Sequence, residues 1–141
     1  GDNIKVSIDI LIKEVLDRQT NVTFSADWIF DNSEIIILRG KTITEELRLR
    51  IINLDALFVL KFVSCRLTDI RDIFMLAPNI KNKKWVREEI SKKYNFTELF
   101  LKVKEKITAT QFKDSLQGVY GIINDKVFEK HQKAILNLEN I

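Results

Sequence analysis

The chain has 141 residues, of which 45% are hydrophobic and 30% charged, and it contains four glycines and one proline. This composition is typical of a single globular domain with enough apolar material for a core, and it disfavours a loop-rich or all-β protein. The formal net charge of +3 permits a nucleic-acid or phosphate partner without demanding one.

Cysteine usage and hydropathy set the expected environment. Cys65 is the only cysteine, so no disulfide can form within the chain, and we expect a reducing cytoplasm. No apolar run reaches the roughly 18 residues of a transmembrane helix, and the first residues lack a signal-peptide pattern, so no membrane partner is expected. Because the only methionine is Met75, we interpret Gly1 as either a processed start or a cut within a longer protein.

The first third of the chain is predicted to be mostly extended. Residues 4–10 alternate apolar and polar side chains, which predicts a half-buried strand with Asp9 on the face opposite the isoleucines. Residues 10–16 favour a helical turn or an irregular exit, and residues 22–24 favour a short strand.

A short helix and a hairpin are predicted next. Ser25 is a suitable N-cap for a helix that Asn32 ends. The Ile-Ile-Ile-Leu run at 35–38 predicts a buried strand, Gly40 marks the tip of a hairpin, and residues 47–52 alternate as a return strand. The first third of the chain therefore holds at least three predicted strands.

The most apolar helix of the chain carries a lysine at its centre. Asn53 is a good N-cap for residues 54–65, which are almost entirely apolar except for Lys61. A helix that is apolar all round is normally buried, and an unpaired buried charge is costly. Lys61 must therefore reach the surface, pair with a carboxylate or line a cavity.

Four charged residues follow within eleven positions of Lys61: Arg66, Asp69, Arg71 and Asp72. Asp69 and Asp72 are three apart and share one helix face. One interpretation is an ion-pair cluster in which the arginines pair with the aspartates and fix the angle between two helices. The other is a phosphate site in which Lys61 and Arg66 contact the ligand and the aspartates orient them.

The second half of the chain is predicted to be helical. Thr68 is interpreted as the N-cap of a helix that Pro78 ends. Four further helices are expected at or shortly after these positions: Trp85, Asn95, Thr110 and Asp125. The predicted fold is α+β, with a small mixed sheet in residues 1–53 and a helical bundle in residues 54–141.

The remaining chemical signals are weak. The sequence contains no phosphate-binding glycine loop and no paired-cysteine or paired-histidine metal motif, and His131 is predicted at the edge of an apolar helix face. Asp9 is either the solvent face of an edge strand or a ligand of Mg²⁺, which prefers carboxylate oxygens. The lysines of three segments (81–84, 92–93 and 102–106) form either solvated helix faces or a basic flank for RNA or DNA.

Two segments resemble a known family. Residues 51–61 (IINLDALFVLK) and 66–73 (RLTDIRDI) are similar to the C-terminal half of minimal nucleotidyltransferases of the polymerase-β superfamily, in particular the abortive-infection and toxin–antitoxin group. That group carries a strand, a helix ending in lysine, and then an arginine followed by two aspartates three residues apart. Residues 4–10 resemble the strand that delivers the third metal-binding carboxylate, and residues 17–20 (DRQT) resemble the stretch that follows it.

The resemblance implies a role for each matching residue. Lys61 would contact the nucleoside triphosphate, Arg66 would help to bind it, and Asp69 and Asp72 would complete the catalytic site. Asp9 would bind Mg²⁺. The intact protein would transfer a nucleotidyl group to an RNA or protein acceptor.

The family also uses a Gly-Ser turn followed by an Asp-x-Asp pair, which would lie upstream of residue 4. Neither occurs in the 141 residues. The chain is therefore expected to be a fragment or a degenerate member that does not catalyse transfer as it stands. The alternative is a non-catalytic module that binds a protein partner or a nucleic acid.

Overall fold

A computed structural model of the chain describes residues 13–42 and 45–141, and its α+β architecture confirms the predicted fold class. The strands are β1 (Glu14–Asp17), β2 (Val22–Ser25), β3 (Ser33–Arg39) and β4 (Glu46–Ile52). The helices are α1 (Ala26–Asp31), α2 (Leu54–Ser64), α3 (Leu67–Leu76), α4 (Lys83–Lys93), α5 (Phe96–Thr108), α6 (Phe112–Tyr120) and α7 (Asp125–Leu136). The predicted strand at 4–10, and Asp9 within it, lies outside the described residues.

β1 and β2 form an antiparallel hairpin that is registered from Glu14 opposite Ser25 to Asp17 opposite Val22. The strand at β2 is confirmed, whereas the helical or irregular interpretation of residues 10–16 is wrong for residues 14–16, which belong to β1. Residue spacing alone could not show that this short segment pairs with β2, whose Val22 and Phe24 side chains are buried against the helices.

α1 follows β2 directly and confirms the predicted short helix. The Ser25 hydroxyl accepts a hydrogen bond from the Trp28 amide at 3.1 Å, which satisfies one of the free donors of the first turn. The helix ends at Asp31, and β3 begins two residues later.

β3 and β4 form the second hairpin, with seven residues in each strand and a register from Ser33 opposite Ile52 to Arg39 opposite Glu46. Both strands are confirmed, but the prediction that residues 35–38 are buried is wrong. Ile35 remains 61% exposed and Ile37 48% exposed. An apolar run indicates a strand, but burial also requires a second layer, and within the described residues the two hairpins are separate two-stranded sheets.

α2 lies at the centre of the helical half. Its Phe58, Val59, Phe62 and Val63 side chains are fully buried, and it packs against α3 and α4. Asn53 caps the helix as predicted, with its side-chain oxygen accepting from the Ala56 amide at 2.9 Å. The Phe62 ring stacks on Phe96 of α5 with 5.7 Å between the ring centroids. The burial predicted for this helix is therefore confirmed.

Several helix boundaries differ slightly from the predicted ones. α3 begins at Leu67 with Arg66 as its N-cap residue, so the assignment of Thr68 as the cap is wrong. α6 begins at Phe112, with Gln111 rather than Thr110 as its N-cap residue. The Asn95 cap of α5 is confirmed by a 3.1 Å bond from the Glu98 amide to the Asn95 side chain.

The first hairpin and α1 are attached to the other helices by polar and aromatic contacts. The indole N–H of Trp28 donates to Glu89 of α4 at 2.9 Å, and the Trp28 ring stacks on Trp85 at 6.2 Å. Lys93 donates to the Thr23 carbonyl at 2.9 Å. These contacts fix β1 and β2 beside the helical core.

The helices of the described residues are short: the longest, α5, has 13 residues. None combines the length and the apolar character that a membrane crossing requires.

Candidate functional site

Lys61 lies between the two predicted aspartates. Its Nζ is 2.8 Å from Asp69 Oδ1 and 2.9 Å from Asp72 Oδ2. The hydrogen bonds that Lys61 donates to Asp69 and to Asp72 raise the pKa of Lys61, because they stabilise its charged form more than partial burial opposes it. Of the three outcomes open to this lysine, pairing with carboxylates is observed, and Lys61 also lines a cleft that is described below.

The connection between α2 and α3 brings these side chains together. Cys65 takes a left-handed conformation (φ +50°) after α2, and its amide closes the last turn by bonding to the Lys61 carbonyl at 3.0 Å. The chain then reverses, and α3 starts after Arg66. Asp69 Oδ2 accepts from the Arg66 amide at 3.3 Å, which is the reciprocal half of a capping box. Asp69 is thereby nearly buried, with 7% of its side chain exposed.

Tyr120 of α6 is a member of this site that the sequence did not reveal. Its hydroxyl donates to Asp72 Oδ1 at 2.5 Å. Burial opposes ionisation of Asp72, but the hydrogen bonds from Tyr120 and Lys61 outweigh it and hold the pKa of Asp72 below its usual value. Burial and the bond to Asp72 raise the pKa of Tyr120 to about 12.

Arg66 pairs with a different carboxylate from the one predicted. Its guanidinium lies 2.7 Å from Asp17 Oδ1, which also accepts from the Ser64 hydroxyl at 3.2 Å. The second Asp17 oxygen accepts from the Thr20 hydroxyl at 2.7 Å and from the Thr20 amide at 2.9 Å. Burial opposes ionisation of Asp17, but these bonds and the charge of Arg66 hold its pKa below the usual value.

The predicted pairing of both arginines with the two aspartates is therefore wrong. Arg71 extends to the Ser115 hydroxyl of α6, at 3.4 Å. Lys61 satisfies both aspartates from α2, and each arginine contacts another element instead. A single signal in the sequence pointed to Asp17, namely its place in the DRQT stretch of the family resemblance.

A cleft of about 310 Å³ opens between the first hairpin and the α2–α3 pair. Its polar lining comes from Lys61, Arg66, Asp69, Asp17 and Ser64. Its apolar lining comes from β1, β2 and α2: Val15, Leu16, Phe24, Leu57 and Leu60. The cleft therefore combines an apolar wall with two cationic side chains, each of which is paired with a carboxylate.

The structure describes no cluster of side chains for the predicted magnesium ion within its residue ranges. No cluster of three or more His, Cys, Asp or Glu side chains with metal-binding geometry occurs within 13–42 and 45–141. Asp69 and Asp72 share Lys61. The predicted ligand, Asp9, lies outside these ranges, so its role as a metal ligand stays a prediction.

His131 and Cys65 are the only histidine and the only cysteine in the sequence, and their surroundings indicate a structural role for each. His131 Nδ1 lies 3.0 Å from the carbonyl oxygen of Phe74, and its ring stacks on the Phe74 ring. Burial raises the pKa of the Cys65 thiol, which disfavours the reactive thiolate.

Several of the lysines considered as a basic flank have acidic neighbours. Lys92 contacts Glu89, Lys102 contacts Glu98 at 2.8 Å, and Lys104 contacts Glu139 at 3.1 Å. These pairs partly neutralise the helix faces and favour the solvated-surface interpretation over a continuous basic surface.

No family model matches this chain, and neither a curated protein nor a solved structure matches it. The likeness to nucleotidyltransferases consequently rests on the residues quoted for it.

Proposed function

We propose that this chain is a nucleotidyltransferase-like protein whose cleft beside Lys61 binds the triphosphate of a nucleotide. The observation that carries the proposal is the common lining of one cleft by Lys61, Arg66 and Asp69. These are residues that the family resemblance assigns to a nucleotide site.

Lys61 is suited to contact a phosphate without leaving its partners. An ammonium group has three N–H donors, and Asp69 and Asp72 use two of them. The third can donate to a ligand oxygen. Arg66, whose side chain is 48% exposed, adds a forked donor at the same cleft, a geometry that matches phosphate oxygens.

Nucleotidyl transfer is proposed only for an intact form of the protein. It requires a Gly-Ser turn and an Asp-x-Asp pair, and the 141 residues contain neither. In such a form Asp9 and the added carboxylates would hold Mg²⁺, and the acceptor would be an RNA or a protein. For the chain in hand the proposed activity is nucleotide binding.

Binding of labelled nucleoside triphosphates by wild type and Lys61→Ala tests this proposal. Loss of a charge-assisted hydrogen bond should weaken binding about tenfold or more. Lys113→Ala is the matched control, because the side chains of Lys113 and Lys61 are similarly exposed, at 30% and 33%. Lys113 is also paired with a carboxylate, that of Asp125 at 2.6 Å. Equal affinity of Lys61→Ala and wild type would remove the lysine from the site.

A second candidate, a non-catalytic module that binds a protein, is favoured by the β3–β4 hairpin. Its strands expose six large apolar side chains: Ile35, Ile37, Leu38, Leu47, Leu49 and Ile51. An apolar surface of this kind is typical of a contact with another macromolecule.

Sequence upstream of Gly1 in the native gene discriminates the candidates, since a Gly-Ser turn and an Asp-x-Asp pair there would favour the enzyme. RNA binding that falls with added salt would instead identify a nucleic-acid partner.

A further inference from the structure

The Tyr120 hydroxyl, Asp72 and Lys61 form a continuous chain of hydrogen bonds. Tyr120 donates to one oxygen of Asp72 at 2.5 Å, and the other oxygen accepts from Lys61 at 2.9 Å. Both oxygens of this carboxylate are therefore engaged, and its plane is fixed by a residue on another helix. Asp69, the second acceptor of Lys61, is fixed by its own bond from the Arg66 amide.

We propose that Tyr120 is a positioning residue of the Lys61 site, which acts through Asp72 to direct the third N–H of Lys61 toward the bound triphosphate. This inference rests on the proposed function. It adds α6, an element outside the family resemblance, to the nucleotide site.

The geometry gives Tyr120 this role because Asp72 is the less constrained of the two aspartates. Its side chain is 34% exposed, against 7% for Asp69. A carboxylate that is about one third exposed and has no second donor can rotate. The ammonium group of Lys61, which is bonded to it, would then change position as well. The hydrogen bond from the Tyr120 hydroxyl also partly compensates the negative charge of Asp72. This compensation weakens the repulsion between the Asp72 carboxylate and a bound phosphate.

The position of Tyr120 at the end of α6 depends on tertiary contacts. Leu116 is buried one turn earlier, and the Ser115 hydroxyl accepts from Arg71 of α3. Gly121 follows with φ +81°, a left-handed conformation that favours glycine and ends the helix. These contacts place the Tyr120 hydroxyl beside Asp72 of α3.

Competition binding with labelled ATP tests the proposal, with wild type, Tyr120→Phe, Asp72→Asn and the double variant each titrated. Tyr120→Phe keeps the ring and loses the hydroxyl, so binding should weaken about fivefold, as expected for one hydrogen bond. In the Asp72→Asn background the same substitution should have no effect, because the group through which Tyr120 acts has lost its charge. Tyr94→Phe, which removes a 3.4 Å bond to Glu98 elsewhere, is the control and should bind as wild type does.

Asp72→Glu is the second variant, and it keeps the protein testable if Tyr120→Phe fails to fold by circular dichroism. It retains the negative charge but moves the carboxylate by one methylene, so it should bind about as weakly as Tyr120→Phe. Wild-type affinity in Tyr120→Phe or in Asp72→Glu, while Lys61→Ala has lost binding, would overturn the role of Tyr120 and leave the proposed function standing. Failure of wild type itself to bind ATP would overturn both.

Discussion

At the scale of single residues, the lysine in the apolar helix α2 is stabilised by ion pairs with two carboxylates. Lys61 has about one third of its side chain exposed and is held between Asp69 and Asp72. Breaking such a partly buried pair by removing one partner leaves the other charge uncompensated. Lys61 and Asp69 therefore stabilise the α2–α3 connection and also line the cleft.

The bond between Tyr120 and Asp72 can be measured directly by titrating tyrosine absorbance. Tyr94→Phe leaves Tyr120 as the only tyrosine, since the chain has two. Its pKa should be near 12 and should fall toward the ordinary value of 10.0 when Asp72→Asn is added, because the charged acceptor is lost. An unchanged pKa would contradict the bond.

The same pKa shift predicts how stability depends on pH. Folding raises the pKa of Tyr120, so its contribution to stability is complete below pH 10 and is lost as the pH rises through about 12. Asp72→Asn should flatten this alkaline loss.

At the scale of elements, the helices and the second hairpin differ in what they bury. α2 places Phe62 at the centre of the core with no exposed surface, stacked on Phe96. β4 places Leu49 on a sheet whose two faces both carry exposed apolar side chains. Apolar residues in the two elements therefore contribute very differently to stability, although the sequence makes them look equivalent.

This difference predicts the outcome of two alanine substitutions. Phe62→Ala should lower the free energy of unfolding by about 3–5 kcal/mol, because it removes buried surface and leaves a cavity. Leu49→Ala should change it by less than about 1 kcal/mol, since the side chain is already 38% exposed. Urea denaturation followed by circular dichroism measures both, and comparable losses would show that the hairpin is buried in solution.

At the scale of the whole molecule, one buried carboxylate joins the first hairpin and α1 to the helical core. Glu89 is 9% exposed at its side chain and accepts from Trp28 and Lys92. Burial opposes its ionisation, but these two donors outweigh the penalty and hold the pKa of Glu89 below its usual value. The position of β1 beside the cleft, and with it Asp17, depends on this attachment.

Glu89→Ala should therefore destabilise the protein, because it leaves the partly buried indole N–H of Trp28 without its acceptor. The expected loss is about 1–3 kcal/mol in the free energy of unfolding, and tryptophan fluorescence should report the change around Trp28. Glu88→Ala is the control, since Glu88 is 55% exposed and lies 3.9 Å from Lys84. Equal stability of the two variants would argue against this link.

The amino-acid sequence by itself determined the local elements. The caps at Ser25, Asn53 and Asn95 were predictable because each side chain bonds to an amide three residues later. The strands of the second hairpin were predictable from an apolar run and an alternating segment, and the helix around Lys61 from its almost entirely apolar residues. In both cases the signal lies within the segment that it describes. The need of Lys61 for a partner followed from the cost of a buried charge.

Only the tertiary structure decided which groups meet. Arg66 pairs with Asp17, 49 residues earlier, and Tyr120 reaches Asp72 from 48 residues later. The exposure of Ile35 was likewise invisible in the sequence, because burial depends on whether a second layer covers a strand. Such contacts depend on how whole elements pack, and residue spacing carries no information about that packing beyond a turn of helix or a pair of strands.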